Sequence, residues 1–337
     1  MKLDKKINRA AVFRLSHLGD IVLTTGVLAH WNRTRDLRFT FITRESSASV
    51  LENHPAIDDI VTVDEKSLKS FTGWFKYCGE LAAELGHMPL IDLHGTLRSR
   101  LLSLRWKGPT HRYPKFGLER RLYSRTRSDK YRRRLERTNV LQRYALALVD
   151  PPPEPGLLPP VIKLRDEEKN AACEDLAAVR GNGPLVALHP YATHPSKQWP
   201  EEHWHTLIQK LDEAHIDWFI VGRSQTGFAP GRQDFTNETT LRETCALLAE
   251  ANVMVTNDSG PMHLASAVGT PVVAFFGPTA KAWGFFPAGP RDIVLEKEMK
   301  CRPCSLHGGS GCSRGLECLT SITPEAAMDA IRITLKQ

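Results

Sequence analysis

Short apolar runs of strand length recur along this chain, and each interval between them has room for about one helix. In the first half the runs are Ala10–Leu15, Phe39–Thr43, Ile60–Val63 and Leu90–Leu93, with the apolar stretch Ile21–Trp31 suited to a helix. In the second half Leu185–Leu188, Trp218–Val221, Val253–Thr256 and Pro271–Phe276 alternate with the helical stretches Glu201–Ala214, Thr240–Ala249 and Met262–Val268. Strands that alternate with helices predict a parallel, doubly wound α/β sheet. Two such series imply two Rossmann-like domains, which a chain of 337 residues is long enough to build.

The break between the series is Asp150–Pro160, DPPPEPGLLPP, where proline blocks both helix and ladder hydrogen bonds. The expected organisation is an N-terminal domain over 1–150, a linker over 151–160 and a C-terminal domain over 161–322. A closing helix follows over 323–337, with Thr323 at its N-cap and Pro324 at its first position.

Hydrophobic residues make up 41% and charged residues 25%, the mixture of a folded globular protein. No apolar run approaches the roughly 20 residues that span a bilayer. The basic start is interrupted at Arg14 before any signal-peptide apolar region develops, so a cytoplasmic location is expected. Charge is uneven: residues 1–150 hold 28 Lys+Arg against 16 Asp+Glu, and the stretch Arg98–Arg143 alone holds 16 against three. A solvated helical face accounts for part of this. As a whole the excess suits an anionic partner, either an acidic acceptor or the anionic inner face of a membrane. Nucleic acid is the third candidate, disfavoured because no recognition module or interleaved stacking aromatics accompany the arginines.

Three constellations carry chemistry. The first is Ser16-His17-Leu18-Gly19-Asp20, at the carboxyl end of the first strand, where ligands of open α/β sheets bind. Gly19 permits a tight backbone, and Asp20 suits either helix capping or general-base work. The second is the loop after Leu188, His189 to Pro200, in which Lys197 is placed to pair with phosphate above a helix start while Trp199 suits packing. The third is Thr256-Asn257-Asp258-Ser259-Gly260-Pro261-Met262-His263, a strand end turning into a helix whose first amides form an anion site for a diphosphate. His263 and, after the next strand, Thr279 lie close to it in this reading.

RLSHLGDIVLTTGVL, HPYATHPSKQWPEEHW and VTNDSGPMHLASAVGTPVVAFFGPT, in this order and spacing, resemble the signature regions of glycosyltransferase family 9, the ADP-heptose:lipopolysaccharide heptosyltransferases. The resemblance implies a GT-B fold, two Rossmann-like domains facing a central cleft, with acceptor on the N-terminal domain and nucleotide sugar on the C-terminal one. It implies Asp20 as the general base for inverting transfer, Lys197 on the donor phosphates, and Asp258, Ser259, Gly260, His263 and Thr279 around the ADP portion. His17, Gly19, His94, Arg98 and Arg100 fall on the acceptor side, facing a phosphorylated lipopolysaccharide core. Two segments depart from the family pattern: Gly222-Arg223-Ser224-Gln225, where some members carry an acidic residue, and Tyr191-Ala192, where some carry hydroxyls. The first departure leaves room for a relative that uses another nucleotide sugar, and a non-catalytic sugar-nucleotide binding module is a further alternative. Transfer itself requires no metal in this reading, because amides and one lysine can meet the leaving group's charge.

Seven cysteines occur. Cys78, Cys173 and Cys245 suit burial in helices. Cys301, Cys304, Cys312 and Cys318 form a spaced cluster inside the loop 301–318, for which a structural tetrathiolate zinc site, free thiols and disulfides are the three readings.

Overall fold

A computed structural model describes residues 7–229, 231, 233–309 and 311–336. In chain order the first half holds β1 (Arg9–Phe13), α1 (Leu18–Arg35), β2 (Arg38–Arg44), β3 (Ile57–Val63), α2 (Phe71–Leu85), β4 (Leu90–Asp92), α3 (Leu97–Arg105), β5 (Thr110–Arg112), α4 (Gly117–Thr126), α5 (Asp129–Glu136) and α6 (Val140–Ala145). The second holds α7 (Asp166–Leu176), β6 (Leu185–His189), α8 (Glu201–Glu213), β7 (Asp217–Gly222), β8 (Asp234–Thr236), α9 (Leu241–Glu250), β9 (Val253–Asn257), α10 (Gly260–Val268), β10 (Val272–Phe276), β11 (Ile293–Glu296), α11 (Glu317–Thr320) and α12 (Pro324–Lys336).

Packing divides the chain into two units, the described residues of Met1–Phe116 with Val140–Lys163, and of Gly117–Asn139 with Leu164–Gln337. The sequence predicts a single division at 151–160. Instead, the segment 117–139 belongs by its contacts to the second unit. There Tyr123 meets Trp283 edge-on at 5.6 Å and Arg120 donates to the Trp283 carbonyl at 3.3 Å. The proline-rich segment lies on α1: Val161 N–H donates to the Thr25 hydroxyl at 2.8 Å, and Leu158 is fully buried. Gly26 makes this passage possible, since a Cβ there would meet the Leu158 carbonyl oxygen at 2.4 Å. Trapped between this strap and the sheet, α1 buries every residue from Ile21 to Trp31.

The first unit's sheet runs β3-β2-β1-β4-β5, all parallel. The second unit's runs β11-β10-β9-β6-β7-β8, again all parallel. Such strands are covered on both faces, which is why β9 and β10 are buried at every position and read as continuous apolar runs. The strands that sequence missed, β5, β8 and β11, are three or four residues long and stand at or beside sheet edges, where burial is partial and the apolar signal is short.

Local chemistry sets the helix ends. At α9 the Thr240 hydroxyl accepts from Glu243 N–H at 3.3 Å while the Glu243 carboxylate accepts from Thr240 N–H at 2.7 Å, a reciprocal cap. Helix α10 opens with Gly260-Pro261 and closes at Gly269, whose φ of +91° only glycine adopts without strain. The second unit's core centres on Trp199, which is stacked on Phe275 at 4.3 Å and meets Trp204 edge-on at 5.2 Å. Its indole donates to the Ile322 carbonyl at 2.8 Å, bearing out the expected packing role. Trp199→Ala would cost about 4 kcal/mol through lost transfer energy and the cavity left behind.

Candidate active site

In a doubly wound sheet the strand order reverses at one point, and the loops leaving the two strands there diverge to open a crevice. The first unit reverses between β1 and β4, the second between β6 and β9. Both points carry a paired cation and carboxylate.

At the first, Arg14 follows β1 and is 6% exposed. Its guanidinium donates to the carbonyls of Ser16 at 2.6 Å and of Leu93, binding together the loops that leave β1 and β4. It also pairs with Asp20, Nη2 to Oδ2, at 2.6 Å. The Tyr144 hydroxyl of α6 donates to Asp20 Oδ1 at 2.6 Å, and the His17 N–H donates to Oδ2 at 3.3 Å. The Tyr144 ring lies against the Arg14 guanidinium at 5.3 Å and meets Tyr113 edge-on at 4.9 Å. Burial pushes the Asp20 carboxyl upward, but Arg14, the Tyr144 hydroxyl and the His17 amide together hold it below the ordinary carboxylate range. Burial and then the Asp20 charge keep the Tyr144 phenol protonated well above its usual range, with Arg14 opposing. Asp20 thus both caps α1, as one of the two sequence readings expected, and stays ionised beside a buried cation.

Across the same point, fully buried Asp92 organises the loop after β4. It accepts from His94 N–H at 3.0 Å, Gly95 N–H at 2.7 Å, the Ser99 hydroxyl at 2.8 Å and Arg112 Nε at 2.5 Å. His94 packs edge-on against Phe13 at 5.7 Å. Burial, then the nearby charges of Arg14 and Lys115, push its pKa down to about 3, so the ring is neutral. Gly19 is buried in the first turn of α1, while His17, Arg98 and Arg100 are exposed. Arg98 spends part of its guanidinium on the Leu68 carbonyl at 3.1 Å.

At the second point Lys197 Nζ sits 2.7 Å from Asp258 Oδ2, and the Thr279 hydroxyl donates to that same oxygen at 2.8 Å. The loops leaving β6 and β9 are bound together by Asn257, whose Oδ1 accepts from Trp199 N–H at 2.9 Å and whose Nδ2 donates to the Tyr191 carbonyl at 3.3 Å. His189 Nδ1 lies 3.2 Å from the Thr256 hydroxyl and 3.3 Å from that of Ser259, and burial takes its pKa down to about 4. Ser259 is the N-cap of α10 and Gly260 its first residue, so the free amides of that helix begin beside the Lys197–Asp258 pair. His263 is buried in the first turn, 6.4 Å from the Phe285 ring. The cysteine-rich segment braces this site from behind: Gly309 N–H donates to the Ser196 hydroxyl at 2.9 Å, Cys304 N–H to the Pro278 carbonyl at 2.8 Å, and Arg302 to the Thr279 carbonyl at 3.0 Å.

Cys301, Cys304, Cys312 and Cys318 lie within electrostatic reach of one another. All seven cysteines are free, and among the described residues no group of three or more His, Cys, Asp or Glu side chains is arranged to hold a metal. Cys318 is buried in the second unit's core, Cys304 and Cys312 are exposed, and the Cys304 thiol donates to the Cys301 carbonyl at 3.2 Å. Burial, and after it the neighbouring cysteines, pushes the Cys304 thiol up; burial pushes the Cys318 thiol up against the opposing charge of Arg302. Cys78 and Cys245 are buried as expected, whereas Cys173 is exposed on α7.

Residues 81–309, more than half of the chain, match the sequence profile of glycosyltransferase family 9 (heptosyltransferase). The chain belongs to that family. It is therefore a glycosyltransferase, and the β6–β9 crevice lies inside the matched stretch, while the Asp20 loop lies outside it. Among curated family 9 relatives, lipopolysaccharide heptosyltransferase 1 of Pseudomonas aeruginosa is 27% identical over 326 residues, covering 88% of this chain and 86% of its own. The crystal structure of a family 9 glycosyl transferase from Veillonella parvula superposes with a TM-score of 0.77 at 21% identity, covering 100% of this chain and 99% of that one. The structure of Escherichia coli ADP-heptose lps heptosyltransferase II gives 0.73 at 21% identity over 98% and 99%. These likenesses fix the fold as GT-B, two Rossmann-like domains in one chain.

Sequence reasoning did not find Arg14 or Tyr144. Arg14 carried a signal, since a charge that ends a buried strand requires a buried partner. Tyr144 carried none, because it stands 124 positions from Asp20.

Proposed function

We propose that this family 9 enzyme transfers heptose from ADP-L-glycero-D-manno-heptose, with inversion, to a phosphorylated lipopolysaccharide core acceptor at the cytoplasmic face of the membrane. The observation that carries the reading is the Lys197–Asp258–Thr279 cluster at the β6–β9 reversal, beside the amides that open α10. An ammonium and free helix-end amides suit a diphosphate, and both act on the charge that ADP develops as it leaves. The curated relatives' names supply the sugar and the acceptor class.

In this reading the acceptor hydroxyl attacks the anomeric carbon, the bond from that carbon to the diphosphate oxygen breaks, and ADP departs with the electron pair. The hydroxyl proton passes to Asp20. A carboxylate held below its usual range is a weak base, and that suffices where the hydroxyl becomes acidic only as its oxygen bonds to the sugar. Arg14 keeps Asp20 deprotonated before the reaction. Lys197, Ser259, Gly260, His263 and Thr279 hold the donor, with Asp258 orienting Lys197. His17, Gly19, His94, Arg98 and Arg100 form the acceptor side.

Thermal unfolding with a panel of ADP-, UDP- and GDP-sugars tests this, since a ligand bound only by the native state raises its melting temperature. Selective stabilisation by ADP-heptose is expected. Stabilisation by a UDP- or GDP-sugar instead would remove the heptose assignment and leave a glycosyltransferase of other specificity, for which the departure at Gly222–Gln225 would be the first place to look.

A further inference from the structure

Eight large apolar side chains stand exposed among the described residues, and four of them sit on two neighbouring helices of the first unit: Phe71 and Phe75 on α2, Leu97 and Leu104 on α3. Neither helix needs them for its packing. Helix α2 already presents Trp74, Cys78 and Leu81 to the core, and α3 presents Leu102. Phe71 and Phe75 are one turn apart with rings parallel at 6.4 Å, and Phe71 is 63% exposed. Leu97 and Leu104 are two turns apart on one side of α3, with Arg100 between them, and Leu104 is 78% exposed. The Arg105 guanidinium lies over the Phe75 ring at 4.8 Å and joins the two sets.

Charge along α3 is of one sign, while α2 carries Lys76 paired with Glu80. Residues 97–107 hold Arg98, Arg100, Arg105 and Lys107 and no acidic residue. Aromatic and leucine side chains ringed by arginine and lysine have the composition of a helix lying at the boundary between headgroups and acyl chains, where the apolar groups enter the lipid and the cations meet phosphate. A nucleic acid would meet the arginines but gain little from exposed leucines. A symmetric second copy would set the same arginines against each other.

We infer that the α2–α3 face, Phe71, Phe75, Leu97 and Leu104 with the arginines beside them, docks the enzyme on an anionic phospholipid surface. This rests on the reading of the acceptor as membrane-linked and assigns the surface by which the acceptor-side unit reaches it.

The test is co-sedimentation of the full chain with vesicles of phosphatidylcholine, with or without phosphatidylglycerol. The parent is expected to partition onto the anionic vesicles, increasingly so at low salt. F71S/F75S/L104S is expected to bind them about tenfold or more weakly, while its melting temperature and its stabilisation by ADP-heptose stay those of the parent. Vesicle binding by the triple variant equal to the parent's, or no binding by the parent, overturns the assignment. So does a parent dimer that the triple variant dissociates while neither binds vesicles, which gives the face to a second copy. Donor stabilisation on the same preparations separates the two proposals: its loss from the parent would strike the transferase reading, and vesicle binding alone decides the surface.

Discussion

The two reversal points of this molecule carry nearly the same pair at nearly the same distance, Arg14 with Asp20 at 2.6 Å and Lys197 with Asp258 at 2.7 Å, and use it in opposite ways. In the first unit the cation is spent on the fold: two carbonyls, a carboxylate and the face of Tyr144 surround a guanidinium that is always charged. In the proposed reaction the carboxylate is the group with work to do. In the second, the carboxylate takes Lys197 and the Thr279 hydroxyl on one oxygen, and in the proposed function the compact ammonium on its flexible stem is the working group. The fold supplies the crevice twice, and in the proposed function the choice of arginine or lysine decides which partner meets a substrate.

The comparison breaks or holds first on Asp20→Asn. The amide leaves a buried guanidinium without its counter-charge and leaves the reaction without a base. We expect transfer to fall about 10³-fold and stability to fall by about 3 kcal/mol, with donor stabilisation retained once the lower melting temperature is allowed for. Steady-state kinetics beside thermal unfolding measures all three. Transfer within a few-fold of the parent would return Asp20 to its capping role alone.

Lys197→Ala is the mirror experiment. One charge-assisted contact to phosphate is removed, so donor KM should rise about tenfold to a hundredfold and stabilisation by ADP-heptose should weaken in step. Acceptor KM is expected to hold. If the two variants exchanged their signatures, the division of labour between the two reversal points would be wrong.

Tyr144→Phe sharpens the first half of the contrast. It removes one donor to a charged oxygen, a loss of about 2 kcal/mol in stability. The Asp20 carboxyl then rises toward its ordinary value. A carboxyl with a depressed folded-state pKa stabilises the fold above the unfolded value of about 3.9, and that contribution is lost as pH falls through the lower folded value. The acid limb of the activity profile should therefore move to higher pH in Tyr144→Phe, a shift that a merely structural tyrosine would not produce.

How much of this was legible follows from where each signal sits. Continuous apolar runs gave away β1, β2, β6, β9 and β10 because parallel central strands are buried on both faces. Asp20, Lys197 and Asp258 each stand in a loop immediately beyond such a strand or at the first turn of the helix after it, so finding the strand finds the site. The edge strands had no run long enough to see. The segment 117–139, with nine basic and three acidic residues, read as part of an N-terminal basic domain, yet Tyr123 and Arg120 commit it to Trp283 of the second unit. Long-range aromatic contact leaves no periodic trace. The cysteine spacing was clear but ambiguous, since the same intervals suit a zinc knuckle and a loop that braces Ser196 and Thr279 through its backbone.

The smallest effect tests a feature that the two reversal points share. His94 and His189 are both buried and neutral, with pKa values pushed down to about 3 and about 4. An unfolded chain binds protons at both below about pH 6.5, and the folded chain does not until these lower values are reached, so stability falls as pH drops through that window. Each histidine contributes a slope of about 1.4 kcal/mol per pH unit there. His94→Gln and His189→Gln should each flatten the fall in melting temperature between pH 6.5 and 5.5 by a similar amount. The causes differ, however: burial acts on both, while at His94 the charges of Arg14 and Lys115 add to it and those of Asp92 and Asp20 oppose them. Raising the salt concentration should therefore restore part of the His94 pKa and little of that of His189, measured by the ring C–H resonances across a pH titration. Equal responses would mean that the Arg14 charge, already matched by Asp20, does not reach His94, and that burial alone keeps both rings neutral.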